Sequence, residues 1–71
     1  EDISRLVAVY ETMKSKDAAR LFNAMDTDFA AGFLGRMRPD AAAAVMAGMA
    51  PEKAYAVSAI LAGRNAMVPK E

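Results

Sequence analysis

A chain of 71 residues whose nine basic and nine acidic side chains cancel, with no cysteine and no histidine, makes one small domain at most. The charge balance removes the electrostatic footprint of a nucleic-acid binder or of a surface that docks on anionic lipid. The missing cysteine rules out a disulfide framework, and no stretch reaches the roughly 20 apolar residues of a membrane span, so no direct membrane insertion is expected. Of the 55% of residues that are apolar, seventeen are Ala, which favours helix and close helix contacts over a large core. With Glu1 at its start and no leader pattern, the sequence is expected to be a fragment of a longer chain.

The first element is a helix from Ile3 to Met13, with Ile3, Leu6, Val7, Tyr10 and Met13 at helical spacing. Lys14 to Asp17 interrupts that stripe, and Ser15 is the expected N-cap of a second helix over 16–24, with Asp17 in its first turn opposing the helix dipole. This helix should bury Ala18, Leu21, Phe22 and Met25. Asp26-Thr27-Asp28 repeats the punctuation before a third helix over 28–35, which carries Ala30, Phe33, Leu34 and Met37. A fourth helix, 39–47, starts at Pro39, where the missing N–H costs nothing, and should bury Ala42, Val45, Met46 and Met49. The fifth opens at Ala50-Pro51-Glu52, presents Ala54, Val57, Ser58 and Leu61, and is expected to stop near Gly63. Residues 64–71, which include Pro69, form the expected C-terminal tail, and 1–63 the repeat domain.

These elements share one rhythm. Met13, Met25, Met37 and Met49 stand twelve residues apart and Leu61 falls on the next beat. Counting each Met as position one, Ala recurs at the sixth position and an apolar residue at the ninth, usually with another at the tenth. A helix of about nine residues is some 13 Å long and marginal in water alone, so each must be held by its neighbours. Short turns and a constant period predict successive helices side by side with a constant rotation, which makes a small superhelix. Ala at the sixth position permits close approach, and the Met at each turn fills the gap between helix ends.

Units such as Met13-Lys14-Ser15-Lys16-Asp17-Ala18-Ala19-Arg20-Leu21-Phe22 and Met49-Ala50-Pro51-Glu52-Lys53-Ala54 resemble the MgtE intracellular N-terminal domain family. The resemblance extends from about Leu6 to Leu61 and implies an all-α, right-handed, armadillo-like superhelix. Residues 6–19, followed by Met25-Asp26, look most like the MotE branch of flagellar-motility proteins. That likeness implies a periplasmic scaffold or chaperone for another motility protein. The competing branch, the magnesium transporter, implies a regulatory domain on the cytoplasmic side of the membrane that responds to Mg²⁺.

No chemistry is carried by the residues themselves. Without His or Cys the usual bases, nucleophiles and soft metal ligands are missing, and Ser4, Ser15 and Ser58 have no base partner in sequence, so no enzyme is expected. Asp17, Asp28, Asp40 and Glu52 sit at helix starts, where capping and dipole compensation account for them without an ion. Asp26-Thr27-Asp28 opens like a calcium loop, but Ala30, Ala31 and Met37 stand where a ligand, the Gly and the closing Glu are required. No cofactor and no metal are therefore expected. Arg36, Arg38, Lys14, Lys16 and Arg20 are interleaved with acidic residues and read as a solvated face. Gly32 is expected to permit a close helix contact, and Gly35 and Gly48 to lie at helix ends.

The expected partner surfaces are the ends of the stack, because a solenoid needs polar caps and apolar ends recruit something else. Ile3, Leu6 and Val9 mark one end; Tyr55, Ile60, Leu61, Met67 and Val68 mark the other. A second copy or another protein is the expected occupant.

Overall fold

The computed structural model describes residues 2–65, with the side chains of 64 and 65 outside the description. Five helices make up this part of the chain: α1 (Asp2–Thr12), α2 (Ser15–Ala24), α3 (Thr27–Leu34), α4 (Pro39–Ala47) and α5 (Pro51–Asn65). Among the described residues there is no strand.

Local chemistry explains most of the helix boundaries. The Asp26 side chain accepts a hydrogen bond from the Asp28 N–H (3.2 Å) and so caps α3, with Asp28 itself in the first turn. Pro39 opens α4 at a position where its ring presets the backbone. The start of α2 differs from expectation. Its N-cap is Lys14, in an extended conformation and without a side-chain cap, which leaves Ser15 inside the helix. At the other end of the chain, α5 runs through Gly63 to Asn65. Gly63 has no left-handed φ and its Cα faces open space, so nothing there turns the chain out of the helix.

The core is Val7, Ala18, Ala19, Phe22, Ala30, Ala31, Phe33, Leu34, Met37, Val45, Met49 and Val57. Tyr10, Met13, Met25, Ala41, Ala42, Met46, Ala54, Ile60 and Leu61 are partly buried and pack against it. Ala19 and Ala31, at the seventh position of their repeats, are fully buried although only the sixth-position Ala was expected inside. Tyr10 ties α1 to the next two helices, its ring centroid 4.8 Å from that of Phe22 and 5.5 Å from that of Phe33.

The packing order is the main departure from the sequence reading. The dominant helix contacts are α2 with α4 and α3 with α5, so these helices pack mainly on the next but one rather than on their immediate successors. Two side-chain-to-backbone bonds tie the end of one helix to the turn that follows the next helix but one. The Arg38 N–H donates to Glu11 Oε2 (2.8 Å) and, one repeat later, the Ala50 N–H donates to Asn23 Oδ1 (3.0 Å). Both acceptors stand two residues before a repeat Met and both donors one residue after one. The same device, shifted by twelve residues, therefore satisfies a backbone donor just ahead of α4 and then of α5. Lys53 Nζ reinforces the second join by donating to the Met25 carbonyl at the end of α2. Arg38 reinforces the first, reaching Glu11 at 3.6 Å and Asp40 at 3.5 Å.

Next-but-one packing also explains why Leu21, expected in the core, is 46% exposed. Leu21 holds the ninth position of its repeat, as do Phe33, Val45 and Val57, all three of them buried. The flank of α3 that carries Phe33 is covered by Tyr10 of α1. Among the described residues no helix covers the matching flank of α2, and Val9, the same position in α1, is likewise 45% exposed.

Candidate interaction surface

An aromatic series leads from the core to the surface. Phe22 is fully buried, Tyr10 packs against both Phe22 and Phe33, and Phe29 packs edge-on to Phe33 with centroids 5.0 Å apart. Phe29 itself is 57% exposed. It stands one turn before Phe33 on α3, at the repeat position held by Asp17, Ala41 and Lys53 in the other units. In that otherwise polar or small position the ring touches Phe33 and stays more than half exposed.

Beside Phe29 lies a groove of about 190 Å³ between the start of α1 and the outer face of α3, lined by Ile3, Asp28, Phe29, Gly32, Phe33 and Arg36. Gly32 keeps it open. A Cβ built at this residue would meet nothing within 4 Å, so the expected close helix contact is not there. Close approach belongs to Gly48 and Gly35. A Cβ at Gly48 would stand 3.2 Å from the Ala19 Cβ across α2 and α4, and one at Gly35 would stand 3.0 Å from Leu61 Cδ2 across α3 and α5. Both residues keep right-handed backbone angles at the ends of their helices, so glycine is required there for space and not for φ.

Asp28 and Arg36 hold opposite ends of the groove with opposite charges, and among the described residues neither forms an ion pair within the chain. The groove therefore has an apolar floor, one acidic end and one basic end.

The sequence-expected surface residues separate into three groups. Ile3 lies in the groove and is 41% exposed; Leu6, Val9 and Tyr55 are exposed at 39%, 45% and 77%. Ile60 and Leu61 are instead partly buried against the core, with Leu61 lying over Gly35, so they serve the fold. Met67 and Val68 lie outside the described residues. Phe29, Gly32 and Arg36 were not expected at this surface. The signal that could have found them is Phe29's departure from the repeat, since an exposed aromatic has to be explained by something other than the rhythm.

Among the described residues no three carboxylates come together in a way that could hold a metal ion. The acidic groups near one another are spent on capping and on Arg20 and Arg38.

Five short helices in a twelve-residue rhythm, tied at every second helix, define an all-α repeat domain. The family model described as MgtE intracellular N domain matches residues 2–62, and the chain belongs to that family. No curated protein and no solved structure matches it.

Proposed function

We propose that this domain is a non-enzymatic protein-interaction module, a scaffold or chaperone-like unit of a bacterial flagellar motility protein of the MotE type. The observation that carries the interaction reading is the open groove over Gly32, where an exposed Phe29 and unpaired charges of both signs surround an apolar floor. The motility reading is supported by the likeness of residues 6–19 and Met25-Asp26 to that branch. In this reading the helices form a right-handed, armadillo-like superhelix, the domain works in the periplasm, and its client is another motility protein. Its work is done by helix-surface contacts, with no cofactor.

A second reading, a regulatory domain of a magnesium transporter on the cytoplasmic side of the membrane, is favoured by the family itself, whose membership fits both. There the domain docks on its neighbours in an ion-dependent way, which requires Mg²⁺ to bind one arrangement better than the other.

Thermal unfolding with and without millimolar Mg²⁺ separates the two, because a ligand specific for the native state must raise the midpoint. The scaffold reading expects no shift beyond that given by an equal ionic strength of Na⁺. It also expects that co-expression with a periplasmic motility protein raises that protein's soluble yield, and that Gly32→Leu, which fills the groove, removes the gain. A Mg²⁺-specific rise together with an unchanged yield would favour the transporter reading.

A further inference from the structure

We infer that Met13 is a modification site for peroxide: its thioether is open to oxidation in the folded chain, while the other three methionines of the repeat are shielded. This goes beyond the proposed function, because it holds whatever the domain binds.

The period makes Met13, Met25, Met37 and Met49 equivalent, and the fold makes them different. Met37 and Met49 are buried, at 6% and 5% exposure, whereas Met13 and Met25 are half-buried. Met13 also lines a cleft of about 220 Å³ where the end of α1 and the start of α2 meet α4, walled by Glu11, Ser15, Arg38, Asp40 and Ala41 among others. Arg38 and Asp40 are exposed, so the cleft opens to solvent, and its polar walls suit water or a small polar oxidant.

Twelve residues on, the corresponding place is covered. The counterparts of Met13 and Ala41 are Met25 and Lys53. Ala41 is too short to reach across the cleft. The Lys53 side chain crosses from α5 to Met25, where Nζ donates to the backbone carbonyl and the apolar stem is part-buried along the way. One exchange in the wall, alanine for lysine, thus separates an open methionine from a covered one.

The chemistry needs only the oxidant. The Met13 sulfur attacks one oxygen of hydrogen peroxide; the S–O bond forms as the O–O bond breaks, and the departing hydroxide takes the proton of the transferred oxygen. Sulfur gives up two electrons, the peroxide accepts them, and the products are the sulfoxide and one water. A thiol-dependent reductase reverses the step, two thiols becoming a disulfide as the oxygen leaves in water. The new oxygen is an acceptor in a cleft that contains the Arg38 guanidinium and the Ser15 hydroxyl, so the folded chain accommodates it. At Met37 and Met49 the same oxygen would lie among the apolar side chains of the core, so these two oxidise as the chain unfolds.

Treatment of the 71-residue chain with hydrogen peroxide, with each sulfoxide followed by peptide mass spectrometry, tests this. Met13 should convert at least about fivefold faster than Met25, and faster still than Met37 and Met49, because oxidation follows exposure of the sulfur. Circular dichroism should show the helices intact once Met13 is converted. Exchanging the walls should exchange the rates: Ala41→Lys should slow Met13 at least about threefold, and Lys53→Ala should speed Met25 by a similar factor. A merely structural role for Ala41 or Lys53 would not move one methionine alone. If one exchanged chain does not fold, the other reads the same wall. Met13 converting no faster than Met25 overturns the proposal, and so does a folded exchange variant whose rates match the parent's. Loss of helix in step with Met13 conversion also overturns it, because the oxidation would then belong to the unfolded chain.

Discussion

The seam at Gly48 and the groove at Gly32 use the same residue type for opposite ends. At Gly48 the missing side chain lets α4 come down on Ala19 of α2, a residue with no exposed surface and no rotamer to change. At Gly32, in the middle of α3, the missing side chain faces empty space beside an exposed Phe29. A glycine in a helix interior costs stability relative to alanine, by about 0.5–1 kcal/mol. Gly48, the C-cap of α4, does not stand in a helix interior, and its missing side chain permits a closer helix contact. At the groove nothing inside the chain offsets that cost. The difference teaches where to look for function: where the fold uses its small residues, the surface is closed, and where a small residue serves no packing, a surface has been kept open.

Substitutions can break or sharpen this contrast, and the largest effect belongs to the closed side. Phe22→Ala empties the centre of the aromatic series and should cost about 3–5 kcal/mol, comparable with the whole stability of a domain this small, so circular dichroism should show an unfolded or barely folded chain. Glu11→Ala and Asn23→Ala probe the two repeated ties. The first loses a carboxylate that accepts from the Arg38 N–H and faces its guanidinium, and should cost about 1.5 kcal/mol; the second loses a neutral acceptor for the Ala50 N–H and should cost about 1 kcal/mol. Urea unfolding monitored at several wavelengths reads both. If next-but-one packing is wrong, both losses should be negligible, as for any exposed polar residue. The smallest effect is expected from Leu21→Ala, within about 0.5 kcal/mol, because this residue lacks the covering helix that buries Phe33. A loss of 2 kcal/mol or more in the same urea titration would return Leu21 to the core.

The all-α architecture, the turn positions and most of the inward residues could be read from the sequence because they depend on period alone. Met13 to Met49 mark equivalent places, and the helices fall where that rhythm puts them. Which helices touch was not legible, because a period shows that residues are equivalent without showing which of them meet. The pairs Glu11–Arg38 and Asn23–Ala50 are 27 residues apart, two repeats and three residues, and become meaningful only once the end of α1 is seen against the turn after α3 and the end of α2 against the turn after α4. Leu21 and Phe33 share a repeat position but not an environment, since Tyr10 of α1 lies on Phe33 and Leu21 is left 46% exposed among the described residues. The groove was hidden for the opposite reason. Phe29 breaks the rhythm, and a period carries no information about the residue that departs from it.

The central claim is that Gly48 is closed in and Gly32 is open, and chemical denaturation of Gly48→Ala and Gly32→Ala beside the parent tests it most directly. Gly32→Ala should raise stability by about 0.5–1 kcal/mol, since the new methyl meets nothing and the helix interior gains a better helix former. Gly48→Ala should lower it by about 1–3 kcal/mol, since the Ala19 Cβ can yield only by a shift of backbone. Opposite signs are the predicted result. A loss of stability in both variants would mean that α3 is covered over Gly32, and a gain in both that α2 and α4 do not close on one another; either would contradict the account.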